Sequence, residues 1–402
     1  MADIKYPQLC PDLTCTGCSS CYNSCPTNAI SIKPGTEGFY RPVVDTEKCI
    51  GCLKCERSCP VITPISPLEQ QHIDEVYAAW HKDESIRNNS SSGGAFSALA
   101  AAIIEEYHGV VYGAAYDDDM IIHHIAIDNL QDLQKLRLSK YAQSSIAETF
   151  SKIKRELKNN RFVLFCGTPC QAAGLRGFLG KEYNNLFICD FICHGVPSPF
   201  MLSSYRNWLH SQRFPKILRI NFRDKSKGWY DALRVIHCEE KEYTLKGKND
   251  NYWIGFNDNK NLQECCYNCK FLGKKRLSDI TIADFWGIGK IEPFGHRNEI
   301  EKGVSAVILS TKKGEELFKH ASHLLHTYLR SIDELVIGNM AMIKPSPRPK
   351  CRDSFYSDLN KLPYKELMET YLEPTTKTKL VKVAREYMPA SLVKFIRTRG
   401  QK

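Results

Sequence analysis

The strongest constraint on this chain is a cysteine pattern that occurs twice near its start. Of the 18 cysteines in 402 residues, nine precede Pro60, and most of the others also come in small groups. A secreted disulfide scaffold would instead be short and evenly studded with cysteine. The first residues lack the basic start, apolar core and cleavage site of a secretory signal, which predicts a cytoplasmic protein. Grouped thiols that stay reduced in that compartment indicate metal ligands.

Both copies of the pattern have the form Cys-x2-Cys-x2-Cys-x3-Cys-Pro. Three thiolates at this spacing can wrap one 4Fe–4S cluster, and the proline turn carries the fourth cysteine to the other cluster. The pattern resembles that of bacterial two-cluster ferredoxins over residues 10–62. The predicted ligands are Cys15, Cys18, Cys21 and Cys59 for the first cluster, and Cys49, Cys52, Cys55 and Cys25 for the second.

Zinc is the alternative metal, because it also binds CxxC pairs, but it does not need eight thiolates in this doubled register. Cys10 lies outside the register and is expected to be an ordinary cysteine. Short strands at 30–32 and 42–44 are expected to wrap the clusters. The sequence therefore predicts an α+β ferredoxin-type domain with two 4Fe–4S clusters.

Composition divides the chain into four segments. Residues 1–62 are the ferredoxin-type domain, 63–75 form a linker interrupted by two prolines, and 76–345 alternate between strand-like and helix-like pieces. Residues 346–402 combine a proline-interrupted stretch with a basic amphipathic tail. Buried strands are predicted at 76–80, 109–115, 161–165 and 186–193, and helices at 95–107 and 145–157. This alternation predicts an α/β domain with a mixed sheet.

Further cysteines lie near the ends of two of these strands. Cys170 and Cys193 each lie just beyond the carboxyl end of a predicted strand, where open α/β sheets place their ligands. Cys266 and Cys269 form a CxxC pair, which would complete a set of four thiols. The neighbouring Cys265 leaves the register of that pair open, and we prefer Cys266 because it gives the CxxC spacing. From the residues alone, the strand-end thiols could equally be small buried side chains.

Several short motifs in the larger segment occur together. They are SSGGAF at 91–96, SKYAQS at 139–144, GTPCQ at 167–171, CHG at 193–195, CYNC at 266–269 and SDITIADFWG at 278–287. With these motifs, residues 76–345 resemble the beta-subunit family of coenzyme F-420-reducing hydrogenases and dehydrogenases, which includes plant hydroxymethyl-chlorophyll reductase. An N-terminal two-cluster ferredoxin is a usual fusion partner in that family.

The resemblance implies an FAD-binding domain with a further 4Fe–4S cluster next to the flavin. The family's ligand positions correspond to Cys170, Cys193, Cys266 and Cys269. Cys166 and Cys189 are expected to be small buried residues within strands.

The predicted flavin contacts lie in three short segments. The turn at 90–94 precedes an apolar helix, whose free N–H groups could face a pyrophosphate, although serine and glycine there could equally form an ordinary helix cap. A cation, a ring and an amide at 140–143 could bind the flavin or form a solvated turn. No GxGxxG follows the first strand, so this is not a Rossmann site. The predicted FAD-binding residues are Ser91, Ser92, Gly93, Gly94, Lys140, Tyr141, Gln143, Gly167 and Thr168.

A charged and aromatic turn at 222–229 has two interpretations. It contains Arg223, Asp224 and Trp229, and it could close over a substrate or over the flavin. Alternatively, Arg223 and Asp224 pair with each other on the surface.

The net charge of +10 comes mainly from the tail, where residues 376–402 contain eight Lys or Arg against one Glu. The rest of the chain is too nearly neutral for a nucleic-acid partner. The basic tail favours a helix that packs on its own domain or frays, and the alternative is peripheral membrane contact or contact with a partner.

The sequence as a whole predicts an iron–sulfur flavoprotein oxidoreductase. FAD would exchange a hydride with a small-molecule partner, for which the resemblance suggests coenzyme F-420. The clusters would exchange single electrons with a ferredoxin-like protein or a subunit of a complex. The alternatives are a ferredoxin-dependent reductase of an organic substrate, a non-catalytic electron-transfer subunit, and a member whose flavin site has been lost. No catalytic acid or base is identifiable.

Overall fold

The structure is a computed structural model that describes residues 5–66, 75–245 and 250–372. Its N-terminal part contains helix α1 (Ser20–Ser24), strands β1 (Ile30–Pro34) and β2 (Tyr40–Val44), and helix α2 (Lys54–Ser58). The two strands pair antiparallel. Each helix begins after a residue with left-handed backbone, Ser19 at φ 62° or Leu53 at φ 56°. These two residues hold equivalent positions in the two cysteine runs, so the sequence repeat produces the same turn twice.

The larger part alternates strands and helices over most of its length. Its strands are β3 (Glu75–His81), β4 (Val110–Tyr116), β5 (Ile122–Ile127), β6 (Val163–Gly167), β7 (Leu186–Phe191), β8 (Ile217–Asp224), β9 (Leu233–Cys238), β10 (Glu242–Leu245), β11 (Ile280–Asp284), β12 (Ser305–Leu309) and β13 (Leu325–Ser331). Its helices are α3 (Glu84–Asn88), α4 (Ala95–Glu105), α5 (Leu133–Leu136), α6 (Thr149–Lys158), α7 (Pro169–Leu179), α8 (Pro199–Ser211), α9 (Asn251–Asn257), α10 (Arg297–Ile300), α11 (Lys312–Ala321), α12 (Ile332–Gly338), α13 (Arg352–Leu359) and α14 (Tyr364–Tyr371). Short 3₁₀ turns cover Glu264–Asn268, Ser322–Leu324 and Met340–Met342.

The main sheet is mixed, as the sequence predicts. Among the described residues its strand order is β13-β3-β12-β11-β7-β6-β4-β5. The central strands β4, β6, β7 and β11 run parallel, and the flanking strands pair antiparallel. Helices α4 and α11 pack on one face of this sheet. Helices α6 and α7 pack on the other face, so both faces of the parallel strands are buried.

Helix α6 begins later than the sequence predicts. The apolar spacing favours a start at 145, whereas the helix starts at Thr149. Ser145 instead bridges to β5, where its N–H donates to the Ile122 carbonyl and its own carbonyl accepts from the His124 N–H. Pairing with a strand edge therefore replaces the first helical turn.

A second sheet, of order β10-β9-β8, lies in a separate hydrophobic core with α8, α13 and α14. Residues after 345 continue into α13 and α14, which bury Phe355 and Leu367 in that core. The basic tail and most of the predicted linker lie outside the described residues. In the part of the chain that the structure describes, no helix combines the length and apolarity that a bilayer span requires.

Candidate functional site

The N-terminal thiols come together across the two cysteine runs. Burial is the main cause of the raised pKa values of Cys18 and Cys21, and the neighbouring Cys59 thiol raises both further. The pKa of Cys18 rises to about 11. The pKa of Cys55 is raised by burial and then by Cys25 and Cys52. The fourth cysteine of each run thus lies with thiols of the other run, which is the combination that the spacing predicts.

Cys10 is not isolated from this group. It packs with Cys15 and Cys59, and hydrogen bonding between thiols is the largest influence on the pKa of both Cys10 and Cys59. The sequence offered no reason to place Cys10 here, because it lies outside the repeated spacing.

A second set of thiols gathers at the carboxyl edge of the main sheet. Cys170 lies in the first turn of α7, Cys193 follows β7, and Cys266 and Cys269 flank the end of the Glu264–Asn268 turn. Burial raises the pKa of Cys170, and the thiols of Cys193, Cys269 and Cys266 raise it further. Burial also raises the pKa of Cys193, and the thiols of Cys266 and Cys269 raise it further. The four thiols thus lie close together, and four is the number of cysteine ligands that one 4Fe–4S cluster takes.

The structure favours Cys266 over Cys265 within this set. Cys266 lies close enough to raise the pKa values of the other three thiols, Cys170, Cys193 and Cys269. Cys265 is hydrogen-bonded to Cys266 and lies close to Cys170 alone among the other three thiols.

In residues 5–66, 75–245 and 250–372, no three His, Cys, Asp or Glu side chains are grouped as ligands of a single metal ion. The thiolates that hold a 4Fe–4S cluster bind separate irons, so they stand farther apart than the ligands of one ion.

Arg276 is a residue of this site that the sequence did not reveal. It is buried, its Nη2 lies 2.8 Å from Asp190 Oδ2, and its charge opposes the burial-driven rise in the pKa of Cys193 and Cys269. An arginine among charged neighbours, as in the sequence KKR at 274–276, gives no hint of burial.

Helix α7 connects the two sets of thiols. Cys170 lies in its first turn, and Gly174 lies one turn later against Cys18. A Cβ on Gly174 would lie 2.8 Å from Cys18 Cβ, so only glycine permits this approach. Four helical residues rise about 6 Å. The second set of thiols and the first predicted cluster therefore lie on consecutive turns of one rigid helix.

The second set also opens onto a cavity of about 1040 Å³. Eight of the nine predicted FAD-binding residues line this cavity: Ser91, Ser92, Gly94, Lys140, Tyr141, Gln143, Gly167 and Thr168. Gly93 does not, because a Cβ there would meet the Ala79 carbonyl oxygen at 2.2 Å; it packs the turn against β3.

One end of the cavity is cationic. The Lys140 Nζ donates to the carbonyls of Lys135 and Arg137 at 2.9 and 2.7 Å, and burial lowers the pKa of Lys140 to about 7. Neither Lys140 nor Arg137 has an ion-pair partner in the described ranges. Nearby, Gly94 has φ 95° and begins α4. Half-buried cations next to the N-terminus of an eleven-residue helix suit a bound anion.

The other two residues of the 140–143 segment build the cavity wall. The ring of Tyr141 packs edge-on against those of Phe222, Trp253 and Phe256. The Gln143 carboxamide accepts from the Tyr40 N–H at 2.8 Å and donates to the Thr16 carbonyl at 3.2 Å. Gln143 thus ties the cavity to the ferredoxin-type domain, a role that sequence reasoning did not reveal.

The turn at 222–229 faces the cavity. Arg223 pairs with Asp284 at 2.9 Å rather than with Asp224, and the Trp229 Nε1–H donates to the same carboxylate at 3.0 Å. Trp229 stacks on Trp286 with ring centroids 4.2 Å apart. This indole pair gives the cavity a flat aromatic wall, which suits a planar ligand.

Comparison with known proteins finds two family models that match parts of this chain. Residues 14–62 match the model of the 4Fe-4S dicluster domain, and residues 160–334 match the model for the C terminus of the coenzyme F-420 hydrogenase/dehydrogenase beta subunit. A solved structure of the F-420-reducing nickel–iron hydrogenase complex from Methanosarcina barkeri aligns at 18% identity, with a TM-score of 0.44, over 76% of this chain and 92% of that one. A search among curated proteins finds no match.

The dicluster domain and the α/β domain behind it define an iron–sulfur electron-transfer oxidoreductase. More particularly, the chain carries the C-terminal domain of the coenzyme F-420 hydrogenase/dehydrogenase beta-subunit family, preceded by a 4Fe–4S dicluster domain.

Proposed function

We propose that this chain is an iron–sulfur flavoprotein that exchanges a hydride with a small molecule and single electrons with a protein. The observation that carries the proposal is the shared cavity. One space is lined by the four thiols, by the cationic end at Lys140 and Arg137, and by the Trp229–Trp286 wall. Bound there, FAD supplies two-electron hydride chemistry, and 4Fe–4S clusters supply one-electron transfer.

Different residues bind the flavin, hold the third cluster and set the distance between the clusters. Lys140, Arg137 and the α4 N-terminus hold the pyrophosphate, for which they offer positive charge and free N–H groups. Cys170, Cys193, Cys266 and Cys269 hold a third cluster at the cavity wall. Helix α7 keeps that third set at a constant separation from the first ferredoxin set, because Gly174 and Gly177 pack directly on Cys18 and on the Ser58 carbonyl. The third set therefore leads to the ferredoxin-type domain.

The cavity is large, and its lining also suits a hydride partner. Its volume of about 1040 Å³ is at the upper limit of the range of about 300–1,000 Å³ for sites of drug-sized ligands. The aromatic wall and the surplus of arginine and lysine over carboxylate in the lining suit a planar, anionic molecule. Coenzyme F-420 is the first candidate because of the family to which the C-terminal domain belongs.

The composition of the purified protein tests the proposal. Protein purified without oxygen is expected to contain about twelve irons, equal acid-labile sulfide and one FAD per chain, as three 4Fe–4S clusters and a flavin require. Cys193→Ser is expected to lose about four irons. The control, Cys238→Ser, changes a buried cysteine in β9 that does not line the cavity, and it should lose none.

About eight irons and no flavin would contradict the proposal and leave only the ferredoxin-type domain with a redox role. If the composition is as expected, reduction of the bound flavin is then followed with reduced coenzyme F-420 and with NADH. Reduction by the first alone identifies the partner. Reduction by neither, with flavin present, favours the alternative in which electrons arrive from a ferredoxin.

A further inference from the structure

Four lysines gather where the ferredoxin-type domain meets helices α6 and α7. Lys54 lies in α2, between Cys52 and Cys55 of the second predicted cluster, and Lys154 and Lys158 lie in α6. Lys181 follows the end of α7. Three of the four are exposed, and Lys154 is half-buried. We refer to these four residues as the lysine patch.

Helix packing brings these residues together. Helix α7 contacts both α2 and α6. The Lys154 ammonium lies 4.8 Å from the centre of the Phe178 ring in α7, and Gly177 of α7 meets the Ser58 carbonyl at the end of α2. Burial lowers the pKa of Lys154, and the charges that add to this effect are those of Lys158, Lys54 and Lys181.

Nearby carboxylates do not neutralise the patch. Glu156 faces Arg161 at 3.6 Å, and Glu182 pairs with Arg176. The described residues include no ion pair to any lysine of the patch. Four cations held together without a carboxylate partner raise the local potential and attract a negatively charged partner.

The position of the patch indicates which partner. Three of the four ligands predicted for the second ferredoxin cluster, Cys25, Cys49 and Cys52, are part-exposed, whereas only Cys21 is part-exposed among the four predicted for the first. The ligand set of the second ferredoxin cluster is thus the outermost on the route that begins at the cavity. A protein attracted to the patch docks next to the place where an electron enters or leaves.

We propose that the lysine patch docks a small, acidic one-electron carrier protein at the second cluster. The proposal rests on the proposed function, because it requires that cluster to be the site of electron exchange. Attraction between complementary charges raises association rates by about 10–10³ and weakens as salt rises.

The test uses the full-length protein with its cofactors and a reduced plant-type 2Fe–2S ferredoxin as the acidic probe. Stopped-flow absorbance follows reduction of the clusters at increasing ionic strength. The variant is Lys158→Glu/Lys181→Glu, which leaves every predicted cluster ligand and its sequence neighbours intact. The control, Lys312→Glu/Lys319→Glu, makes the same charge change on α11, on the opposite face of the main sheet.

At low salt the patch variant is expected to react at least about tenfold more slowly than the wild type, with a flatter salt dependence, and the control within about twofold. Reduced methyl viologen, a small radical cation with one positive charge, should not react more slowly with the patch variant. Equal rates with ferredoxin for the patch variant and the wild type, at full iron content, would overturn the proposal.

Two further measurements separate carrier docking from a lipid partner and from a failure of the proposed function. Loss of sedimentation with phosphatidylserine vesicles, with the ferredoxin rate unchanged, would assign the patch to a membrane and refute carrier docking. Missing flavin or iron in the wild type would instead refute the proposed function. Normal composition with equal ferredoxin rates refutes the docking surface alone.

Discussion

Replacing Gly174 with alanine tests how the ferredoxin-type domain docks on α7. Alanine in a helix interior is normally more stable than glycine by about 1 kcal/mol. Here the new Cβ would lie 2.8 Å from Cys18 Cβ and 2.9 Å from Cys18 Sγ, where ordinary contacts begin at 3.4 Å. The helix and the loop must therefore separate by about 0.6 Å, and overpacking of this kind costs about 1–3 kcal/mol.

The net expectation for Gly174→Ala is a loss of up to about 2 kcal/mol, in place of the gain that helix propensity alone gives. Cys18 cannot rotate away, because the closest atom is its Cβ. We expect the midpoint for thermal loss of cluster absorbance in the anaerobic protein to fall by up to about 6 °C. Gly177→Ala should lose more, because its Cβ would lie 2.2 Å from the Ser58 carbonyl oxygen.

Gly255→Ala in α9 is the matched control. Its Cβ would meet only the side-chain ends of Asn261 and Leu372, at 3.0 Å, and such ends can move by a few tenths of an ångström. Its midpoint should stay within about 2 °C of the wild type. A rise in the midpoint of Gly174→Ala similar to that of a solvent-exposed Gly→Ala change would refute the docking argument.

Three further predictions concern the cavity. Cys266→Ser should lose about four irons per chain while Cys265→Ser keeps them all, and the reverse result in iron analysis would reassign the ligand. Arg276→Gln should lower the reduction potential of the third cluster by roughly 40 mV, because it removes a buried positive charge worth about 1 kcal/mol to the reduced state. In a redox titration followed by electron paramagnetic resonance, Arg276→Lys should shift the potential less. An unchanged reduction potential in Arg276→Gln with full iron content would contradict this effect of the Arg276 charge. Because the pKa of Lys140 is lowered to about 7, flavin-free protein at pH 8 should take up a proton when it binds FAD, and its affinity should fall as pH rises through 7–9. Calorimetry in two buffers of different ionisation enthalpy measures that proton, and the same uptake in Lys140→Met would show that another group supplies it.

The ferredoxin-type domain shows how much local spacing can predict. The two cysteine runs place their first three thiols within ten residues, so backbone turns alone bring them together. The equivalent left-handed residues Ser19 and Leu53 repeat that turn. Apolar runs likewise predict the parallel strands β4, β6 and β7, since a strand buried on both faces is apolar along its length.

Only the tertiary structure shows which residues that are far apart in the sequence come together. Cys170 and Cys193 reach Cys266 because β6 and β7 are neighbours in the sheet and end at the same edge. The sequence contains no record of that strand order. The pairing of Arg223 with Asp284, the contact of Gly174 with Cys18 and the bonds from Gln143 to the ferredoxin-type domain arise in the same way.

Sequence alone thus determined the iron–sulfur pattern of this protein at local spacing, and several of its motifs lie in residues 160–334, which match the model for the C terminus of the coenzyme F-420 hydrogenase/dehydrogenase beta subunit. Only the tertiary structure decided which thiols share a cavity, which helix separates the two cluster sites, and where the lysines gather. The physical reason is the separation in sequence between the residues that come together. Spacing of a few residues is set by backbone geometry, whereas contacts across a hundred residues depend on strand order and on the packing of helices against the sheet.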